Sequence, residues 1–214
     1  FGPRPDSSGH FAWSNGSRLY YANLTSDFGA TRDEASFKGF EAIAVSRTDN
    51  VQAAAANGKN AWMPPVIVSK QVSQTIFSDK EQVWADNAAS SPFFGTVYVC
   101  WASFRGQEKG NAAPAPLFVG VSHDGGNTWE QHQITAAANT GQRNPTDGCT
   151  IRTASDGTAY VFGVGTVSSQ GHDSFELMST STDGGTSWSN GTPVAGPVTQ
   201  PGVIDPVLGR PVID

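Results

Sequence analysis

Hydrophobic and aromatic residues alternate with polar ones in short runs along the chain, and turn residues separate these runs. Residues 16–24, 95–103 and 157–165 each begin with a glycine and continue as a β-branched and aromatic run with a central tyrosine. Such runs are typical of β-strands, and the 3.6-residue period of an amphipathic helix is not found. The pattern therefore predicts an all-β fold.

One eight-residue motif occurs twice in this pattern. The residues S-x-D-G-G-x-[ST]-W occupy 122–129 and 181–188, which start 59 residues apart, and each phrase follows an apolar run. A third apolar run ends in a degenerate copy, with Asn50 after Asp49. Its tryptophan, Trp62, lies 13 residues after Asp49 instead of five, and the additional residues are expected to fill a loop.

Each phrase belongs to a larger unit of about four strands. A first strand is predicted before each glycine turn, at residues 10–14, 81–86 and 149–154. A second strand, a long loop, a third strand, the Asp-Gly-Gly turn and a fourth strand follow. Units that recur at this spacing predict a β-propeller of four-stranded antiparallel blades, because a β-sandwich would not repeat in this way.

The units predict three blades, at residues 9–70, 79–136 and 147–196, and the first strand of a further blade at 201–214. Such a set does not close a ring, and an open ring exposes apolar faces and pairing edges. We therefore expect half of a ring of about six blades. The other half would lie on a second chain or a symmetry-related copy, or would have been lost by cleavage or truncation.

The composition limits the kinds of ligand that this protein is expected to bind. The net charge is -6 and the cations are scattered, which argues against nucleic acid and anionic membranes as ligands. No apolar run reaches the roughly 18 residues of a membrane span. A composition rich in small residues, and an N-terminus that is expected to arise by processing or truncation, favour a secreted protein. Cys100 and Cys149 lack a metal-binding spacing, and the sequence leaves open whether they pair.

The two complete phrases resemble the Asp box, or BNR repeat, of the sialidase superfamily. Residues 78–101 also resemble a phrase of secreted sialidase-like exoproteins. The resemblance implies that the boxes lie at the blade periphery, away from the active site. Their aspartates are then expected to accept turn N–H groups, their glycines to supply positive φ, and their tryptophans to anchor neighbouring strands. These structural candidates are Asp124, Asp183, Trp129 and Trp188.

The resemblance also implies a ligand site near the propeller axis, in the loops between blades. The carboxylates there are candidates for catalysis: Asp79, Asp147 and Asp205. The other polar residues there are candidates for substrate binding: Arg143, Arg210, Lys80, Glu81, Arg4 and His10. Alternatively, the aspartates cap turns at strand starts and the arginines pair with them as structural ion pairs.

Two functions stay open at this point. A sialidase uses three arginines, an acid/base aspartate and a tyrosine activated by a glutamate, but this chain has only Arg-Pro at Arg4 where the family has Arg-Ile-Pro, and no Tyr–Glu pair is identifiable. The first function is a secreted glycoside hydrolase with paired carboxylates. The second is a non-catalytic propeller that binds a glycan or a protein. No cofactor is expected, and a structural Ca²⁺ is compatible but has no motif.

Overall fold

A computed structural model describes residues 1–26, 41–71, 76–105, 115–136, 147–166, 174–198, 206–207 and 209. In these ranges the chain forms β-strands, one short α-helix and one 3-10 turn. The strands are β1 Gly2–Pro5, β2 Phe11–Ser26, β3 Glu41–Thr48, β4 Val66–Gln71, β5 Ile76–Ala85, β6 Val97–Arg105, β7 Leu117–Ser122, β8 Glu130–Gln133, β9 Asp147–Thr153, β10 Ala159–Thr166, β11 Ser174–Ser181 and β12 Thr192–Val198. The helix is α1 Val51–Ala55.

The strands form three four-stranded sheets, and in each sheet strands that follow one another in sequence are neighbours. We call β1–β4 the first sheet, β5–β8 the second and β9–β12 the third. Every pairing is antiparallel. The second sheet lies between the other two, since β5 contacts both β2 and β9. The predicted all-β architecture of four-stranded blades is confirmed, and the arrangement is a partial propeller.

The core lies between the sheets and consists of two clusters. Strand β6 contributes to both, because Val97, Val99 and Trp101 face the first sheet while Tyr98 and Cys100 face the third. All five side chains are at most 1% exposed. A strand covered on both faces needs apolar residues on both, which explains why V-Y-V-C-W-A contains no charged residue. The second sheet is therefore the central layer of the described fold.

The predicted first strand at residues 10–14 is wrong. Residues 11–14 belong to β2, where Phe11 and Ala12 pair with Pro5 and Arg4 of β1, and His10 lies in the turn before it. Strand β1 lies earlier, in the run G-P-R-P, whose two prolines do not suggest a strand because proline cannot donate to a sheet. The division of the chain at 9–70, 79–136 and 147–196 stays a prediction, and the further strand expected at 201–214 falls almost entirely outside the described residues.

The insertion before Trp62 is partly helical, where a loop was expected. Helix α1 begins after Asn50, whose side chain accepts the backbone N–H of Ala53 at 3.0 Å, and a 3-10 turn follows at Lys59–Ala61. The run Q-A-A-A favours a helix through the high propensity of alanine. No helix in the described ranges is long and apolar enough to cross a membrane.

Candidate functional site

The turn between β7 and β8 is closed by the carboxylate of Asp124. Its Oδ1 accepts the hydroxyl of Ser122 at 2.8 Å and the backbone N–H groups of Asn127 and Thr128, both at 2.9 Å. Its Oδ2 accepts the Thr128 hydroxyl at 2.6 Å. Partial burial opposes ionisation, but these hydrogen bonds outweigh it and lower the pKa of Asp124. Both oxygens of the carboxylate therefore accept hydrogen bonds from residues of the same turn.

The turn between β11 and β12 repeats this geometry around Asp183. Its Oδ1 accepts the Ser181 hydroxyl at 2.8 Å and the Ser187 N–H at 2.9 Å, and its Oδ2 accepts the Ser187 hydroxyl at 2.5 Å. Hydrogen bonds from Ser187, then from Ser181, lower the pKa of Asp183 to about 2. The indole N–H of Trp188 donates to the carbonyl of Gly185 at 3.0 Å, which fixes the ring against the turn.

The corresponding turn of the first sheet is shifted by one residue relative to the sequence pattern. Leu19 pairs with Thr48 as Val97 pairs with Ser122, so Thr48 takes the serine position and Asn50 the aspartate position. Asp49 is therefore not the counterpart of the turn aspartates. It pairs with Arg18 instead, at 2.7 Å between Nε and Oδ1 and 2.9 Å between Nη2 and Oδ2.

Both Asp-Gly-Gly turns pack on the preceding sheet. Arg18 of the first sheet donates its Nη1 to the carbonyl of Gly125 at 3.0 Å. Gly126 has a φ of +87°, and a Cβ there would lie 2.8 Å from Cδ of Arg47. Gly185 has a φ of +94°, and a Cβ there would lie 2.8 Å from Cγ2 of Val121. Glycine is required at both positions by its backbone conformation and by the close approach of the neighbouring sheet.

The opposite end of the sheets, at which β3, β5 and β9 begin, holds several of the predicted site residues; we call it the upper end. Asp79, Lys80 and Glu81 lie in β5 at an irregularity of its pairing with β6. Lys80 is exposed and has a φ of +61°, and its N–H donates to Oδ1 of Asp79 at 2.8 Å. A left-handed, non-glycine residue in a strand is uncommon, and bulges of this kind redirect side chains beside functional sites.

Glu41, which the sequence did not single out, joins this group. It begins β3 and is 4% exposed, and its Oε1 accepts the N–H of Ser78 in β5 at 2.8 Å. In return, Oε1 of Glu81 accepts the N–H of Leu24 in β2 at 2.8 Å. The first and second sheets are therefore joined at the upper end by two reciprocal bonds from carboxylates to backbone N–H groups.

Burial gives Glu41 an unusual acidity. Desolvation raises its pKa to about 7, against the opposing hydrogen bonds from Ser78, and the negative charges of Asp79 and Glu81 add to the rise. Its second oxygen, Oε2, is buried and has no hydrogen-bond partner among the described residues. A buried carboxyl group of this kind is favoured in its protonated form over a wider pH range than an exposed one. The only sequence signal for Glu41 is a charged residue at the head of the apolar run A-I-A-V.

Asp147 lies in the neighbouring strand at the same end. It begins β9 opposite Val164, and a disulfide between Cys100 and Cys149, with a Cα–Cα distance of 6.2 Å, joins β9 to the second sheet. Gln82 adds a hydrogen bond from the backbone N–H of Ile151 to its Oε1, at 3.0 Å. The backbone of Asp147 is thus held beside the bulge of β5.

Arg4 and His10 do not join this group, and the expectation that they do is wrong. His10 lies in the turn from β1 to β2, where its N–H donates to Oδ1 of Asp6 at 3.0 Å, and Arg4 pairs with Ala12 nearby. This turn is at the end of β2 remote from Glu41, because β2 reaches the upper end only at Ser26. The remaining predicted residues lie outside the described ranges: Arg143, Asp205 and Arg210.

The described residues contain no group of three or more histidine, cysteine, aspartate or glutamate side chains arranged to hold a metal ion. The upper end offers carboxylates on adjacent sheets, at Glu41, Asp79 and Glu81, and Lys80, which lies between the last two in sequence, is exposed. Such a set can donate or accept protons and can hydrogen-bond to hydroxyl groups of a ligand.

Solved structures of sialidases resemble this fold. The Hadza microbial sialidase Hz136 matches over 87% of this chain and 35% of its own, with 19% identity and a TM-score of 0.50. The intramolecular trans-sialidase from Ruminococcus gnavus, solved with oseltamivir carboxylate, matches over 84% of this chain and 36% of its own, with 16% identity and a TM-score of 0.45. No protein-family model and no curated protein matches. The chain has a sialidase-like fold and spans about a third of the length of these sialidases.

Proposed function

We propose that this chain is part of a secreted, sialidase-like β-propeller that hydrolyses a glycosidic bond at its upper end. The observation that carries the proposal is the bulge of β5, where the left-handed Lys80 separates two carboxylates beside the buried Glu41. Backbone strain of this kind persists where the surrounding structure enforces it, and it is concentrated at functional sites. The sialidase-like fold supports a glycan as the ligand.

Hydrolysis of a glycosidic bond needs two carboxyl groups beside the bond, and the candidates for this pair are Asp79, Asp147 and Asp205. Asp79 is partly exposed and is the candidate acid/base. Glu41 is too buried to touch a substrate, and it acts as a positioning residue that holds the backbone of Ser78, next to Asp79. Lys80 is exposed and would attract an acidic sugar. Asp147, Asp205, Arg143 and Arg210 complete the proposed site at the ends of neighbouring blades, and a second chain or further segment completes the ring.

A panel of fluorogenic glycosides that includes a sialoside tests this function. We expect the purified protein to cleave at least one of them, and Asp79→Asn to reduce the rate by two orders of magnitude or more, on the order of the 10²–10⁴ that a general acid or base contributes. Asp156→Asn is the matched control, because Asp156 is an exposed aspartate in the β9–β10 turn whose Oδ1 accepts the N–H of Thr158, remote from the upper end. Equal rates for the two variants would refute the role of Asp79.

A non-catalytic glycan-binding module is the second candidate, and the Arg-Pro at Arg4, where the sialidase family has Arg-Ile-Pro, favours it. Calorimetric titration of the same glycans separates the two functions. Binding that Asp79→Asn weakens, without hydrolysis by the unmodified protein, identifies a binding module. If no glycan in the panel is bound or cleaved, both functions are wrong.

A further inference from the structure

A cavity of about 340 Å³ lies beside the turn between β7 and β8, at the end of the sheets opposite the upper end, and we call it the turn cavity. The described residues that line it are Val121, His123, Asp124, Thr128, Trp129 and Glu130. Val121 is 2% exposed, Trp129 is half-buried, and His123 and Glu130 are exposed. Sites for small organic ligands begin at about 300 Å³ and combine apolar walls with a few polar groups. The turn cavity therefore has the size and the mixed lining that one such ligand needs.

The hydrogen-bond donors of two lining side chains already have acceptors in the protein. The Thr128 hydroxyl donates to Oδ2 of Asp124 at 2.6 Å, and the Trp129 indole N–H donates to the carbonyl of Gly126 at 3.2 Å. The Glu130 carboxylate can only accept, and it has no hydrogen bond or ion pair with the residues that the structure describes. These side chains therefore present a ligand with an indole ring and an unpaired negative charge.

The turn between β11 and β12 shows that the fold requires neither the imidazole nor the carboxylate. Thr182 stands there at the position of His123, and Ser189 stands at the position of Glu130. The Ser189 hydroxyl accepts the N–H of Thr180 at 2.9 Å, so this side chain is used within its own hairpin. The two turns have the same aspartate and glycine geometry. The charged and ionisable groups of the turn cavity are thus additions to the turn that its own hydrogen bonds do not explain.

We propose that the turn cavity binds a small organic cation, a protonated amine with an apolar body. The ammonium group donates to the Glu130 carboxylate and is attracted to the Trp129 ring, and the apolar body packs against Trp129 and Val121. Nδ1 of His123 lies 3.1 Å from Oγ1 of Thr96. When Nδ1 donates to Thr96, the second ring nitrogen of His123 is a further acceptor for the ammonium group. The negative charge of Glu130 disfavours an acidic sugar, so this site is separate from the one proposed at the upper end.

Four small probes that differ in charge and in apolar surface test this proposal. Cyclohexylammonium, cyclohexanol, cyclohexanecarboxylate and ammonium are titrated into the ¹⁵N-labelled full chain near neutral pH and at low salt. The NMR signal of the Trp129 indole N–H, assigned with Trp129→Phe, reports binding. We expect a saturable shift with a millimolar Kd for cyclohexylammonium and about tenfold weaker binding of the other three probes. Added salt should weaken the binding of the cation, because screening reduces its attraction to an exposed carboxylate.

Variants of Glu130 separate its charge from its shape. Glu130→Gln keeps the shape, and Glu130→Ser introduces the residue that the turn between β11 and β12 has at this position. Because Glu130 is exposed, both variants should fold, and both should weaken the binding of cyclohexylammonium about three- to fivefold. Asp156→Asn is the matched control, since it removes the same charge from an exposed residue that does not line the cavity, and it should leave the affinity unchanged.

Several outcomes would overturn the proposal. Equal binding of cyclohexanol or cyclohexanecarboxylate would show that the site does not select a cation, and equal binding of ammonium would show that it does not use an apolar body. No saturable shift with cyclohexylammonium, or the same affinity in Glu130→Gln, would remove the site itself. Asp79→Asn at the upper end should leave the titration unchanged, so the failure of the proposed hydrolysis and the failure of this site can be told apart.

Discussion

The disulfide between Cys100 and Cys149 offers the sharpest test of how the second and third sheets are held together. We expect the double variant Cys100→Ala/Cys149→Ala to fold to the same structure but to be markedly less stable. The two cysteines are separated by 49 residues in sequence. That separation spans the rest of the second sheet and the connection to β9, so the bond restricts a large part of the unfolded chain.

The magnitude follows from loop closure. For a loop of 49 residues, the chain-entropy relation gives about 4 kcal/mol of stabilisation at 25 °C. This corresponds to roughly a thousandfold change in the folding equilibrium. In a chain of this size, about 1 kcal/mol shifts the melting temperature by roughly 2–4 °C, so the double variant should melt on the order of 10 °C lower.

Chemical denaturation followed by tryptophan fluorescence measures this difference. A reducing agent should lower the free energy of unfolding of the unmodified chain toward that of the double variant, and it should leave the double variant unchanged. Cys100 is fully buried, so its replacement by alanine also removes packing, and the reduced unmodified chain controls for that loss. A change of less than about 0.5 kcal/mol on reduction, within the range of ordinary surface effects, would refute the reasoning.

Three further predictions concern single residues. Burial raises the pKa of Glu41 to about 7 from 4.5, so the folded state binds more protons than the unfolded state between these pH values. The free energy of unfolding should therefore fall as the pH rises from 4.5 to about 7. Denaturation midpoints of Glu41→Gln should not show this fall with pH, whereas those of Glu130→Gln, a variant of an exposed glutamate, should still show it. Hydrogen bonds hold the pKa of Asp183 at about 2, below 3.8, so its contribution is present above pH 3.8 and is lost toward pH 2; Asp183→Asn should be less stable at pH 7 and should flatten an acid titration followed by circular dichroism. Lys80→Gly should raise stability by about 1 kcal/mol by relieving its positive φ, more than Asn57→Gly at a φ of +60°; an equal gain from both in urea denaturation would contradict strain at the bulge.

Alternation and turn residues predicted most of the strands because they encode local geometry. The glycine and tyrosine runs became β2, β6 and β10, and the Asp-Gly-Gly phrases became the turns that end β7 and β11. Strand β1 was not predicted, because Pro3 and Pro5 lack backbone N–H donors and only the pairing with β2 identifies the segment as a strand. The residue of the first sheet that corresponds to Asp124 and Asp183 was also not identified from sequence, because the choice between Asp49 and Asn50 depends on which residue pairs with Leu19.

The candidate site was predicted only where polarity interrupts a strand. Asp79, Lys80 and Glu81 stand out in sequence because they break the pattern of β5. Glu41 does not, since a single acidic residue before an apolar run resembles the solvated start of a strand. Its burial arises from the packing of β3 against β5, a contact between residues 37 positions apart. The pairing of Cys100 with Cys149 depends in the same way on the spacing of two sheets, which no local pattern contains.

Gly126 packs on Tyr20 and Gly185 packs on Tyr98, so each Asp-Gly-Gly turn covers the sheet that precedes it in the chain. Each sheet is covered by its successor, so the molecule behaves as a one-dimensional array in which stability passes between nearest neighbours. Within the described residues no such turn lies on Tyr160 of the third sheet, so we expect amide hydrogen exchange to be faster in β10 and β11 than in β6, which the neighbouring sheets cover on both faces. The disulfide at Cys149 lies at the junction of the second and third sheets, where it limits how far local unfolding spreads into the second sheet.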